Sequence, residues 1–126
     1  MATILVVEDD ADLRFLYAAA LERHGHAVIS VPETIPALLQ LTNRAIDAIV
    51  LDIALPDLPG TRLLEFVRDD PRLHNIPVIV ISGNGRVRER ALALGAYDFC
   101  VKPVTMRDLV SLIDRIVGSR LPGDQA

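Results

Sequence analysis

Acidic side chains stand where two apolar runs stop. Residues 3–7 (Thr3-Ile4-Leu5-Val6-Val7) lead at once into Glu8, Asp9 and Asp10, and residues 48–51 (Ala48-Ile49-Val50-Leu51) into Asp52. Carboxylates ending neighbouring strands repel one another and raise each other's pKa unless a cation joins them. A hard divalent ion such as Mg²⁺ suits a set made only of oxygens. Two further apolar runs end in Ser82 and in Lys102. Acids, a hydroxyl and an ammonium at four strand ends form a specific set. It could bind a cation and receive a labile anionic group. Lys102 is the only lysine, the other twelve of the thirteen basic residues being arginine. Its compact charge stands at the predicted anion contact.

Apolar runs of this length, bounded by polar residues, read as strands of a parallel sheet covered on both faces. The intervening segments have helical spacing. Residues 11–24 carry Leu13, Leu16, Tyr17, Ala20 and Leu21 on one face, with Asp10 as N-cap and Gly25 as the stop. Residues 27–31 read as a second strand, and a second helix over 34–43 is predicted to be capped by Thr34. A loop marked by Pro56 and Pro59-Gly60 precedes a short helix over 61–68. Pro77 opens the fourth strand, which ends at Ser82. A fourth helix is predicted over 86–94, a fifth strand over 97–101, and a last helix capped by Thr105 and stopped at Gly118. Five strands alternating with five helices predict a doubly wound α/β sheet of flavodoxin-like order 2-1-3-4-5. Ligands bind such sheets at the carboxyl edge, where the connection direction reverses between the first and third strands.

A length of 126 residues fits one domain, read as residues 1–118 with a tail over 119–126. The net charge of −4 argues against a nucleic-acid or anionic-membrane surface as the main partner. No apolar stretch reaches the roughly 18 residues of a membrane span, and no signal-peptide pattern opens the chain. A soluble cytoplasmic protein is expected. Cys100 is the only cysteine, has no internal disulfide partner, and is expected to be a small buried apolar residue.

The chain resembles the receiver domains of two-component response regulators over essentially its whole length. The most specific segments are Asp52-Ile53-Ala54-Leu55-Pro56-Asp57-Leu58-Pro59-Gly60 and Gly95-Ala96-Tyr97-Asp98-Phe99-Cys100-Val101-Lys102-Pro103. By that resemblance Asp52 is the phosphoacceptor. Asp9 and Asp52 would bind Mg²⁺ directly, Glu8 through water, and Ala54 through its backbone carbonyl. Ser82 and Lys102 would hold phosphoryl oxygens. Ser82 and Phe99 would form the switch, Phe99 moving from outside to inside. Implied partners are a histidine kinase or histidine phosphotransfer protein, and a downstream protein docking on the fourth helix, fifth strand and fifth helix. The chain would act as a monomer or a phosphorylation-dependent dimer. It would be a signalling phosphoacceptor, not an enzyme in its own right. The Lys102-Pro103 bond is a candidate cis peptide, which the resemblance makes more expected. Ser82 replaces the commoner Thr, Phe99 lacks the hydroxyl of the commoner Tyr, and the segment from Ser82 to Gly95 is slightly short for the family. Ala54 offers no polar side chain to orient water, so slow intrinsic loss of the phosphoryl group is expected.

Other functions compete. The chain could be a fragment of a larger regulator or hybrid kinase, or a phosphorylation-independent interaction module. A haloacid dehalogenase-type phosphatase would need a second acid two positions after the nucleophile, where Ala54 stands. A flavodoxin would present hydroxyls and amides to phosphate, where Glu8-Asp9-Asp10 stands. Elsewhere bland roles suffice. His24, His26 and His74 are read as capping or solvent-facing, Arg86, Arg88 and Arg90 as a solvated helix face, and Asp57 and Asp98 as surface residues.

Overall fold

Alternation along the strands builds two cores at once. In the computed structural model, which describes residues 2–118, β1 (Thr3–Val7) sends Ile4 and Val6 to one side of the sheet and Leu5 and Val7 to the other. β3 (Ala48–Leu51) and β4 (Val78–Ser82) divide their residues the same way. One core is closed by α1 (Ala11–Arg23) and α5 (Met106–Gly118). The other is closed by α2 (Thr34–Asn43), α3 (Gly60–Asp69) and α4 (Arg88–Ala93). With β2 (Ala27–Val31) and β5 (Asp98–Val101) the strands form one sheet of order β2-β1-β3-β4-β5, every pair parallel. This is the predicted flavodoxin-like, doubly wound arrangement, with the connections reversing between β1 and β3. The tail expected over 119–126 lies outside the described residues. Among the described residues, no helix is long and apolar enough to cross a membrane.

Register converts sequence position into proximity. Val7 pairs with Leu51, so Glu8 and Asp52, each the next residue, leave the sheet side by side. The Asp52 amide donates to the Val7 carbonyl at 3.0 Å. Ser82 pairs with Val101, and the Lys102 amide donates to the Ser82 carbonyl at 2.8 Å. The Lys102-Pro103 peptide is cis.

Several local expectations need correction. Leu16 lies outside the apolar face of α1 and is exposed. Thr34 is the first residue of α2, not its cap. Glu33 holds the cap position without a side-chain bond, and the free amides of Thr34 and Ile35 donate instead to Asp57 at 2.9 and 2.7 Å. The segment after Ser82 is a 3₁₀ turn over Gly85–Val87 followed by a six-residue α4. β5 starts at Asp98, leaving Tyr97 exposed. Cys100 is half-buried, with its thiol pushed up by burial. His24 caps α1 as expected, its Nδ1 3.1 Å from the Ala20 carbonyl. The His26 residue is half-buried with its side chain largely covered, Nε2 2.7 Å from Asp114 and Nδ1 3.4 Å from the Ala2 amide, so it ties the start of β1 to α5.

Candidate functional site

The carboxyl edge of β1, β3, β4 and β5 gathers the predicted residues. Glu8 is 1% exposed, Asp52 6% and Ser82 5%, whereas Asp9 faces solvent. One carboxylate oxygen from each of Glu8, Asp9 and Asp52 lies within 4.8 Å of the others. Lys102 reaches this cluster from the far side of β4. Its Nζ donates to Glu8 Oε1 at 2.7 Å and to Asp52 Oδ2 at 3.1 Å. The other oxygens of Glu8 and Asp52 are held by main-chain amides, Asp52 Oδ1 by Ala54 at 3.1 Å and Glu8 Oε2 by Asp10 at 3.1 Å.

The electrostatics of the cluster are unbalanced. Burial pushes the Glu8 carboxyl above the usual carboxylate range, and the Asp52 charge adds to this. The Lys102 and Asp10 hydrogen bonds only partly offset it. Burial works against the Lys102 charge, but the hydrogen bonds to Glu8 and Asp52 outweigh it and push that pKa up. One ammonium thus serves three converging carboxylates, a set of oxygens that fits a hard divalent cation. On the anion side, Ser82 Oγ accepts from the Asn84 amide at 3.1 Å, which leaves its proton free to donate. Beside Lys102 a cavity of about 300 Å³ is lined by Leu13, Tyr17, Pro103 and Val104.

Phe99 does not lie outside. It is 3% exposed and belongs to the core under α2, α3 and α4. The Arg88 guanidinium carbon stands 5.9 Å from its ring centre. Arg88 is therefore more than a member of a solvated helix face.

Sequence reasoning missed three residues that shape the site. Arg14 Nη1 donates to the Glu8 carbonyl at 2.9 Å and reaches the Asp9 carbonyl at 3.4 Å. Asp57 caps α2, and Thr34 Oγ1 donates to the Leu58 carbonyl at 2.7 Å, so the loop after Asp52 is fastened to another helix. Gly60 lies against that loop. A Cβ there would fall 2.7 Å from the Asp52 carbonyl oxygen and 2.8 Å from Ile53 Cα. The Pro-Gly step signals a turn, but no local pattern announces these contacts, of which those of Asp57 and Leu58 with α2 span 22 to 24 residues.

A family model described as the response regulator receiver domain matches residues 4–114. The phosphate regulon transcriptional regulatory protein PhoB of Pseudomonas aeruginosa is 32% identical over 124 residues, covering 97% of this chain and 54% of that protein. The two-component response regulator ORR12 of Oryza sativa subsp. japonica is 34% identical over 117 residues, covering 90% of this chain and 96% of that protein. The chain thus spans about half the length of the first of these relatives and almost all of the second. A solved receiver domain protein (CheY-like) from Methanospirillum hungatei JF-1 superposes with a TM-score of 0.87 at 27% identity, covering 95% of this chain and 96% of that one.

Proposed function

The chain belongs to the response regulator receiver domain family of two-component signalling, and from that membership we propose that Asp52 is its phosphoacceptor, supported by Mg²⁺, Glu8, Asp9, Ser82 and Lys102. One observation carries this assignment. Lys102 bridges Glu8 and Asp52, residues 94 and 50 positions away in sequence, at the edge where Asp9 completes the acidic cluster.

An Asp52 carboxylate oxygen attacks the phosphorus of a phosphohistidine on a histidine kinase or histidine phosphotransfer protein. A P–O bond forms, the P–N bond breaks, and its electron pair stays on the imidazole nitrogen. The same attack on a small phosphodonor expels its own leaving oxygen. Such transfers depend on positioning and charge neutralisation more than on covalent help. Bound Mg²⁺ would supply neutralisation that lets an anionic donor approach a cluster of carboxylates. Asp9, Asp52 and the Ala54 carbonyl would hold it directly, and Glu8 would act through water. Lys102, already within 3.1 Å of Asp52, turns to one phosphoryl oxygen and the Ser82 hydroxyl donates to another.

Phosphorylation adds about −1.5 to −2 charge and three acceptor oxygens. Ser82 is drawn toward them, and its loop leads through the 3₁₀ turn over Gly85–Val87 into α4. A downstream protein is therefore read through α4, β5 and α5, by a cytoplasmic monomer or a phosphorylation-dependent dimer. A second possibility is favoured by the buried Phe99, which already occupies the inward position. An output face fixed in that form would bind its partner without phosphorylation. Equal partner affinity before and after phosphorylation would select this alternative.

Incubation with acetyl phosphate and Mg²⁺, read by intact mass, tests the assignment. One phosphoryl group is expected on the wild type and none on Asp52→Asn. Phosphorylation of Asp52→Asn at the wild-type level would refute it.

A further inference from the structure

Arg14 lies in the first turns of α1, yet its side chain runs back over the loop that carries two of the three acids. Its Nη1 donates to the Glu8 carbonyl at 2.9 Å and approaches the Asp9 carbonyl at 3.4 Å. The rest of the loop is held from other directions. The Asp10 amide donates to Glu8 Oε2 at 3.1 Å, the Asp10 side chain caps α1 through the amides of Asp12 and Leu13, and the Arg14 amide donates to the Asp10 carbonyl at 2.9 Å.

We propose that Arg14 is a positioning residue for the metal shell, engaging the main-chain oxygens of residues 8 and 9 so that their carboxylates, not their carbonyls, meet the cation. This role rests on the Mg²⁺ assignment above. Backbone carbonyls are hard oxygen donors and compete with carboxylates for such an ion. Mg²⁺ tolerates little departure from octahedral geometry, so a loop free to offer either kind of oxygen holds it poorly. Both contacts come from Nη1, whose two hydrogens are held in the plane of a permanently charged guanidinium and can serve the two adjacent carbonyls together. A lysine at the same place offers a more strongly hydrated, freely rotating point charge.

Charge and positioning predict opposite signs. A guanidinium beside three carboxylates repels a dication, so by Coulomb's law alone its removal tightens Mg²⁺ binding. Loss of an outer-sphere support weakens it, by roughly tenfold or more where such supports have been removed from metal sites.

Titration of Mg²⁺ into the metal-free full chain by calorimetry separates the two. The set comprises wild type, Arg14→Gln and Arg14→Lys, with circular dichroism confirming the fold. The expected result is a Kd for Arg14→Gln raised roughly tenfold, with Arg14→Lys between it and the wild type. A Kd for Arg14→Gln equal to or below that of the wild type overturns the role. If Arg14→Gln fails to fold, Arg14→Lys decides by sign: weaker binding supports positioning, and unchanged or tighter binding overturns it. A wild-type chain that binds no Mg²⁺ removes the metal assignment itself, which distinguishes that failure from failure of the Arg14 role.

Discussion

Replacing Gly60 with alanine should separate the geometry of the Asp52 loop from its chemistry. No functional group is lost, and the backbone of Gly60 is not in the left-handed region, so the effect is steric. The added Cβ would lie 2.7 Å from the Asp52 carbonyl oxygen, 2.8 Å from Ile53 Cα and 3.2 Å from the Ile53 carbonyl oxygen. All three are backbone atoms, so no flexible side chain can give way. Ordinary contact begins at 3.4 Å, so the nearest atom must retreat by 0.7 Å, the difference between 3.4 and 2.7. That atom belongs to Asp52, the proposed phosphoacceptor, whose side chain would attack phosphorus. The Gly60 amide also donates to the Ile53 carbonyl at 2.8 Å, which pins the two segments and limits relaxation. Overpacking of this kind costs about 1–3 kcal/mol of stability. A displacement approaching 1 Å at a reacting group costs about 10²-fold in rate. Gly60→Ala should therefore lose about 1–3 kcal/mol in urea denaturation and phosphorylate from acetyl phosphate roughly 10- to 100-fold more slowly. The rate is read by intact mass under conditions where circular dichroism shows the fold intact. Gly83→Ala is the control, because its Cβ meets nothing within 4 Å although it adjoins Ser82. A folded Gly60→Ala that phosphorylates at the wild-type rate would refute the steric reasoning.

Lys102→Ala leaves Glu8 and Asp52 facing each other without their ammonium. Removing one partner of a buried ion pair costs about 3–5 kcal/mol, and partial exposure of the lysine lowers the expected loss to about 1–3 kcal/mol. Because the buried Glu8 carboxyl is held above its usual range, its charge opposes folding at neutral pH and protonation relieves that cost. Urea denaturation of the metal-free variant should therefore show a deficit that shrinks on mild acidification or on adding Mg²⁺, and a deficit blind to both would contradict this account. At Asp57, slight desolvation is outweighed by hydrogen bonds from the Ile35 and Thr34 amides, which hold its carboxyl below the usual 3.8. A depressed folded pKa contributes stability above the ordinary value and loses it as pH falls through the folded one. The stability gap between wild type and Asp57→Asn should be steady at neutral pH and close in acid below 3.8, as followed by denaturation against pH. Phosphorylated wild type should lose its group slowly in Mg²⁺ buffer, since Ala54 cannot orient water, and a polar residue in its place should shorten the lifetime measured by mass.

Sheet order and the acidic edge were legible because both follow from short-range rules. Runs such as Ile4-Leu5-Val6-Val7 can be buried only with cover on both faces, and alternation with helices then implies a parallel, doubly wound sheet. Once β1 and β3 are neighbours in register, the residue after each strand must lie at one edge, so Glu8 and Asp52 meet. The contacts that hold those side chains still were not legible. Asp57 looks like any turn acid, since the amides it caps are 23 and 22 residues away. Thr34 looks like a helix cap because a hydroxyl at a helix start usually is one, but its hydroxyl donates instead to the Leu58 carbonyl. The predicted fourth helix takes in Arg86 and Val87, which precede the observed α4 at Arg88. The glycines and Asn84 before them favour a tighter turn, in which the Asn84 side chain accepts from the Arg86 amide.

The same distinction bears on how signal leaves the site. Lys102 connects the acidic cluster to the end of β5, and Phe99 lies three residues back on that strand, buried with Arg88 over its ring. Arg88 opens α4, so the ring, the helix and the strand form one packed unit. A tyrosine could be held inward by its hydroxyl. Phenylalanine has none, and here burial and a cation beside the ring take that role, at about 0.5–1 kcal/mol for such a contact near a surface. A contact that small can be offset by one new charge-assisted hydrogen bond at Ser82, worth about 1.5–3 kcal/mol. Rearrangement of α4 is therefore energetically within reach of a single phosphoryl group, provided the movement breaks the Arg88 contact and leaves Phe99 in its core.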